Sequence, residues 1–250
     1  MTARGAGTGP HPPVYLYGIV RGGRDRSTFD ELDVVAVEEG GLAAVISGPG
    51  AEQVRPAKQA RRHRAVLDAL AGATTVVPAR FGLLLDSVDD VRTVLREESD
   101  RWEAQLAHVS GRLQFRIRAL YDEELVLREV VAGDHRIASL REATRNLPPD
   151  AGQPERVRLG ELVAAALQRL RADDRLVVLE AVTPEAVDWT EQERGEMEHV
   201  VDVTVLVEDS IRQRFEDALE DLAAQLHPRI RLQLTGPMAA YDFVGGDGWD

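Results

Sequence analysis

"DVVAVEEGGLAAVISG", residues 33–48, holds two short apolar runs separated by "EEGGL", and the paired glycines at 40 and 41 are the reading on which the fold turns. A tight turn that reverses a strand needs positive φ at its centre, which glycine reaches without steric cost. The stretch therefore predicts a β-hairpin. Ahead of it, "VYLYGIV" at 14–20 is apolar on both faces, as a strand covered on both sides must be. Behind it, His63, Val66, Leu67 and Leu70 recur at i, i+3, i+4 and i+7. That spacing gives a helix over about 55–71, and "TTVVPAR" at 74–80 supplies another strand. The order is βαββαβ with a degenerate first helix, a ferredoxin-like half over 13–86.

The rest of the chain repeats this order after a helix. Ser87 with Asp90 three residues on makes a capping pattern. Val91, Leu95, Trp102, Leu106 and Val109 then mark one face and Gly111 a stop, so 87–111 reads as a long helix connecting two halves. "LQFRIRAL" at 113–120 alternates, with Leu113, Phe115 and Ile117 inward and Gln114, Arg116 and Arg118 outward. Helical spacing follows over about 122–145 and, after "NLPPDAGQP", over about 155–171. "RLVVLEAV" and "HVVDVTVLVE" read as strands, Ile211 to Leu226 as a helix, and "RIRLQL" as the closing strand. The fold class is α+β, two ferredoxin-like α/β halves joined by a long helix, with the second spanning 112–244. Residues 1–12 and the glycine-rich acidic tail at 245–250 carry too little apolar surface to offset their ordering entropy, so both are expected to be disordered.

A net charge of −13 argues against binding nucleic acid, which needs a basic face to displace counterions. One basic stretch stands out, with Arg55, Lys58, Arg61, Arg62 and Arg64; it reads either as the solvated side of a helix or as a docking patch for an acidic partner. Without cysteine there are no disulfides, thiolate metal sites or cysteine nucleophiles, which fits a cytoplasmic protein. The N-terminus lacks a signal-peptide core, and no apolar run approaches the roughly 18 residues of a membrane span.

Candidates for catalysis fail on spacing or company. None of the six histidines pairs as H-x-H or H-x-x-x-H, and no phosphate-binding loop is present, so neither metal nor cofactor is expected. His63, on an apolar helix face, reads as a hydrogen-bonded core histidine before it reads as a ligand. Asp134 and His135 have the form of an oriented base without a nucleophile beside them. The unusual residues lie where strands begin or end, in "YLYGIV", "PARFG" and "LTGPMAAYDFV"; they serve either the architecture or surface recognition.

At these three stretches the chain resembles the gas vesicle protein GvpL/GvpF family. Tyr15, Tyr17 and Gly18 match the family's opening strand; Pro78, Arg80, Phe81 and Gly82 match a central strand end; Gly236, Pro237, Tyr241 and Phe243 match the closing segment. The likeness runs from about 14 to 244. It departs at Met238, Ala239 and Ala240, where the family often has tryptophan and prolines, and in "RFGLLL" for "RFGTVF". The resemblance implies a two-domain accessory protein, without catalysis or cofactor, for assembling the hollow protein shells that give buoyancy. Its implied partners are the small hydrophobic shell protein and other accessory gas vesicle proteins.

Two expectations concern the working surface. Arg80 is read as a buried or half-buried guanidinium tying a strand end to acceptors, with direct partner contact as the other role. The partner face is placed on Phe81, Leu83, Met238, Tyr241 and Phe243, contributed by both halves, with Arg61 and Arg62 steering an acidic partner. A ferredoxin-like regulatory protein that binds a metabolite is the rival class, and a small-molecule enzyme with a polar pocket the weaker one.

Overall fold

The computed structural model describes residues 13–23, 27–47, 56–148, 151–192 and 198–244. The two expected tails and Arg55 lie outside that set. Helices combine with two antiparallel sheets, so the α+β class holds. The first compact unit takes in Met1–Gln114 and Pro237–Asp250, the second Phe115–Gly236.

In the first unit the strands are β1 (Val14–Arg21), β2 (Val34–Glu39), β3 (Leu42–Ser47) and β4 (Val76–Pro78). Helix α1 (Ser27–Glu31) follows β1, and α2 (Pro56–Ala73) precedes β4. The sheet order is β2-β3-β1-β4, as a ferredoxin-like half requires, with the short β5 (Leu84–Leu85) pairing to the start of β1. The hairpin forms as expected. Glu39 pairs with Leu42 across Gly40 and Gly41, at φ 60° and 86°. On β1 a bulge between Leu16 and Gly18 shifts side-chain parity, so that Tyr15, Tyr17 and Val20 share one core cluster with Val66, Leu67 and Leu70 of α2.

Residues 87–111 are two helices rather than one, α3 (Val88–Glu97) and α4 (Ser99–Val109), and both pack on the first sheet. Ser87 caps α3 as predicted, its Oγ accepting from Asp90 N–H. The chain breaks at Glu98, where Trp102 is fully buried and its indole N–H donates to the Val94 carbonyl at 3.3 Å.

The second unit runs β6 (Arg112–Tyr121), α5 (Glu123–Gly133), α6 (His135–Arg145), α7 (Gln153–Val182), β7 (Ala186–Glu191), β8 (His199–Glu208), α8 (Arg212–Leu226) and β9 (Ile230–Met238). Its sheet order, β7-β8-β6-β9, repeats that of the first. "RLVVLEAV" is not a strand but the end of α7. Asp174, Val178, Leu179 and Val182 are buried at helical spacing, which a run of four apolar residues disguised. The strand of that position is "AVDWTE", β7. The helix expected over 122–145 breaks at Asp134, whose carboxylate caps α6 by accepting from Arg136 N–H. β6 is not half solvated either: Gln114 is buried, and Arg116 reaches buried Asp202 with its Nε at 2.7 Å. Gln114 and Arg116 occupy the presumed outer face because each has a partner, Asp242 and Asp202.

Candidate partner-binding site

Three stretches distant in sequence meet around His63. β1 carries Tyr15 and Tyr17 two residues apart, hence on one face, and both are buried. Between them and the next strand there is room only for glycine: a Cβ on Gly18 would lie 2.7 Å from the Val77 carbonyl oxygen and 2.9 Å from a Val76 methyl. β4 therefore runs close against β1, and Pro78, opposite Gly18, sits at the sheet edge where its missing N–H costs nothing. Beyond β4 the chain turns through Arg80, Phe81 and Gly82, Gly82 at φ 90°.

Hydrogen bonds fix this turn. Ala79 N–H donates to the Tyr17 carbonyl at 2.8 Å, Leu83 N–H to the Arg80 carbonyl at 3.2 Å, and Leu16 N–H to the Leu83 carbonyl at 3.1 Å. The Gly82 N–H donates to the Tyr15 hydroxyl at 3.1 Å, and the same hydroxyl lies 2.9 Å from His63 Nδ1. With its oxygen taking the Gly82 proton, Tyr15 has its own proton to give to Nδ1. His63 is 4% exposed, and its Nε2 is buried without a hydrogen bond of ordinary geometry. Burial pulls the imidazole pKa below its usual range, against a smaller upward pull from the Ala79 backbone. The same burial raises the Tyr15 phenol, which the Gly82 bond partly opposes.

Aromatic rings surround that imidazole. Tyr17 stacks on it at 5.8 Å between centroids, Tyr15 and Phe81 meet it edge-on at 5.6 and 5.7 Å, and Tyr241 leans in at 6.4 Å. Tyr241 comes from the closing segment, and burial pushes its hydroxyl up to about 12. That segment is held by Gln114, whose amide accepts from Asp242 N–H at 3.0 Å and donates to the Asp242 carboxylate at 2.6 Å. The phenol–imidazole pair is sealed from solvent. What the cluster turns outward is Phe81, 46% exposed, with Leu84, 56% exposed, three residues on.

The expected site residues sort as follows. Tyr15, Tyr17, Phe81, Gly82 and Tyr241 converge on His63. Pro78 and Gly18 set the close strand pair. Leu83, Met238 and Phe243 are half-buried, Pro237 is exposed, and Gly236, at φ 138°, ends the second unit. The face is thus not contributed by both halves: Phe81, Leu83, Met238, Tyr241 and Phe243 all belong to the first unit. Arg80 is exposed on the turn, not buried. Within the basic stretch Lys58 and Arg61 are exposed and Arg64 pairs with Asp68 at 3.4 Å. Arg62 is exposed, as expected, yet its guanidinium reaches back to the sheet; its Nε donates to the Tyr17 hydroxyl at 2.9 Å and its Nη2 to the Asp33 carbonyl at 3.0 Å. The Tyr17 bond is the main cause that holds Arg62 in its charged form. Sequence reading missed Gln114 and Leu84; the only signals were a polar residue on a strand and a leucine beside a turn.

Among the described residues no group of three or more His, Asp or Glu side chains is placed to hold a metal ion, and no helix is long and apolar enough to cross a membrane. The model of the family described as "Gas vesicle synthesis protein GvpL/GvpF" matches residues 13–245. A "Gas vesicle protein F" from Streptomyces sp. (strain CB03234) is 31% identical over 208 residues, 82% of this chain and 85% of that protein. Another of that name from Microcystis aeruginosa (strain PCC 7806) is 21% identical over 185 residues, 73% and 75% of the two chains. The crystal structures of GvpF from Microcystis aeruginosa and from Anabaena sp. PCC7120 share the fold. Their TM-scores are 0.74 and 0.80 at 20% and 17% identity, each over 94% of this chain and 99% of theirs. By sequence and by fold, this chain belongs to the gas vesicle synthesis protein GvpL/GvpF family.

Proposed function

We propose that the chain is a non-catalytic accessory protein of gas vesicle assembly, working in the cytoplasm at the growing vesicle without a cofactor. It binds the hydrophobic shell protein, or a fellow accessory protein, through the first unit. A shell subunit must cover its apolar surface before it joins the shell, and a rigid aromatic patch offers that cover for a time. The observation that carries this reading is the convergence of three motif stretches on His63, which leaves Phe81 and Leu84 exposed, with Phe81 against His63 of α2, the helix that also carries exposed Lys58 and Arg61. Lys58 and Arg61 add positive charge to an otherwise acidic chain and orient an acidic partner on approach.

Because about half of Phe81 and Leu84 is exposed, replacing both with serine tests binding while leaving buried Tyr15, Tyr17 and His63 in place. The double variant is expected to keep the parent's circular dichroism spectrum with a modestly lower Tm, to stop co-purifying with the gas vesicle shell protein and its accessory proteins, and to give cells that no longer float. A folded variant that still captures them and still supports vesicles would move the partner surface elsewhere.

A further inference from the structure

The buried imidazole of His63 and the turn that carries Phe81 share one hydroxyl. Ala79 N–H on the Tyr17 carbonyl and Leu16 N–H on the Leu83 carbonyl fasten the two ends of the turn to β1. Its tip is tied through Gly82, whose N–H donates to the Tyr15 hydroxyl at 3.1 Å, and that hydroxyl lies 2.9 Å from His63 Nδ1. All three groups are satisfied together only when the ring is neutral. Tyr15 then accepts from Gly82 and gives its own proton to a bare Nδ1, which leaves the ring proton on Nε2.

A second proton on the ring reverses that bond. Nδ1 becomes a donor, the Tyr15 proton loses its acceptor, and a positive charge appears on a buried side chain. Among the described residues no carboxylate pairs with the ring to compensate it. From β1 it meets the phenols of Tyr15 and Tyr17, from the turn Phe81, and from the closing segment the phenol of Tyr241. Arg62 and Arg64 on α2 and Arg80 on the turn are cations, which oppose a further positive charge. The nearby acids are committed elsewhere, Asp33 to Arg62, Asp68 to Arg64 and Asp242 to Gln114. The cover is thinnest at Phe81, which is half exposed while Tyr15 and Tyr17 are buried.

We propose that protonation of His63 releases the tip of the 80–83 turn, so that acid swings Phe81 off the imidazole and admits water to it while β1 and α2 stay folded. The consequence rests on the function proposed above: the Phe81 and Leu84 patch receives a gas vesicle protein when the turn is held and binds it more weakly when the turn is loose. The depressed pKa of the imidazole agrees in sign, since the closed turn holds the neutral ring and the open one is free to take a proton. Closure is fully favoured above pH 6.5, and below it the opening constant rises by up to about tenfold per pH unit until the closed ring itself protonates.

Amide hydrogen exchange of the full chain, read by NMR between about pH 7 and about pH 5 and corrected for intrinsic rates, tests this without any partner. The protection of Gly82 N–H is expected to fall about tenfold or more over that range, in step with the His63 ring signals. Dilute urea should leave Gly82 exchange unchanged, as for an opening that exposes little surface, while it speeds exchange at Ile19 in the sheet. His63→Gln, which keeps an acceptor for Tyr15 but takes no proton, should make Gly82 protection independent of pH even though the other histidines still titrate. Gly82 protection that stays constant while His63 titrates, or that has the urea dependence of Ile19 and so reports global unfolding, would overturn the proposal; the second comparison needs only the parent chain. Affinity of the parent for solubilised gas vesicle shell protein should fall over the same range, and equal affinity at both ends would overturn the consequence. Absence of binding at every pH would count against the function proposed above, and the exchange result would still decide the latch.

Discussion

The Tyr15 hydroxyl is engaged twice, by Gly82 N–H and by His63 Nδ1, so Tyr15→Phe strands a donor in the 80–83 turn and an acceptor on α2 together. The expected cost is about 1–3 kcal/mol, read as a lower denaturant midpoint with an unchanged slope. His63 gives a pH dependence of definite sign. Its folded pKa is depressed, so between the unfolded value of 6.5 and the folded one the unfolded state binds more protons. Stability is then full above pH 6.5 and falls as the pH drops through that window, and His63→Gln should flatten this part of the profile in chemical denaturation. Gly18→Ala must push Cβ into the Val77 carbonyl, and overpacking of this kind lowers stability by about 1–3 kcal/mol, seen as a lower Tm. The sequence marked Tyr15, Gly18, Phe81 and Tyr241 as unusual but not what they meet. Arg80 is the clearest limit. Its motif position was legible, yet an arginine inside an apolar run reads as buried, and only the turn at Gly82 brings it to the surface.

Among the elements, α7 depends on one buried carboxylate. Asp174 accepts from the Tyr121 hydroxyl at 2.6 Å and from Arg229 Nη1 at 2.7 Å, joining helix, β6 and the start of β9. Asp174→Ala leaves Arg229 with Glu129 at 3.5 Å as its remaining ion-pair partner, so a loss of about 3 kcal/mol is expected in a denaturant titration. Asp174→Asn, which keeps an acceptor, should lose less. Hairpin and helix starts were legible because their signals are local: Gly40 and Gly41 for the turn, Ser87 for the cap. The end of α7 was not. "LVVL" suits a strand or a helix alike, and the choice falls to Asp174, whose burial makes sense only once Arg229, 55 residues on, is beside it. Gln114 was hidden for the same reason, its partner Asp242 lying 128 residues away.

Two βαββαβ units with the same strand order give the chain a pair of sheets, and within the first unit Tyr15, Tyr17, Phe81, Gly82 and Tyr241 meet in one cluster. The outward face of this cluster, Phe81 with Leu84, is the surface proposed to receive a gas vesicle protein. The motif spacing made the family legible, whereas the assignment of the whole face to one unit followed only from the return of 237–244 to the first. Hydrogen–deuterium exchange of the chain, alone and with solubilised gas vesicle shell protein, tests the claim most directly. The account predicts slowed exchange confined to the 79–86 turn, the first turns of α2 and the segment around Tyr241. Protection that leaves all three unchanged and falls elsewhere on the chain would contradict it.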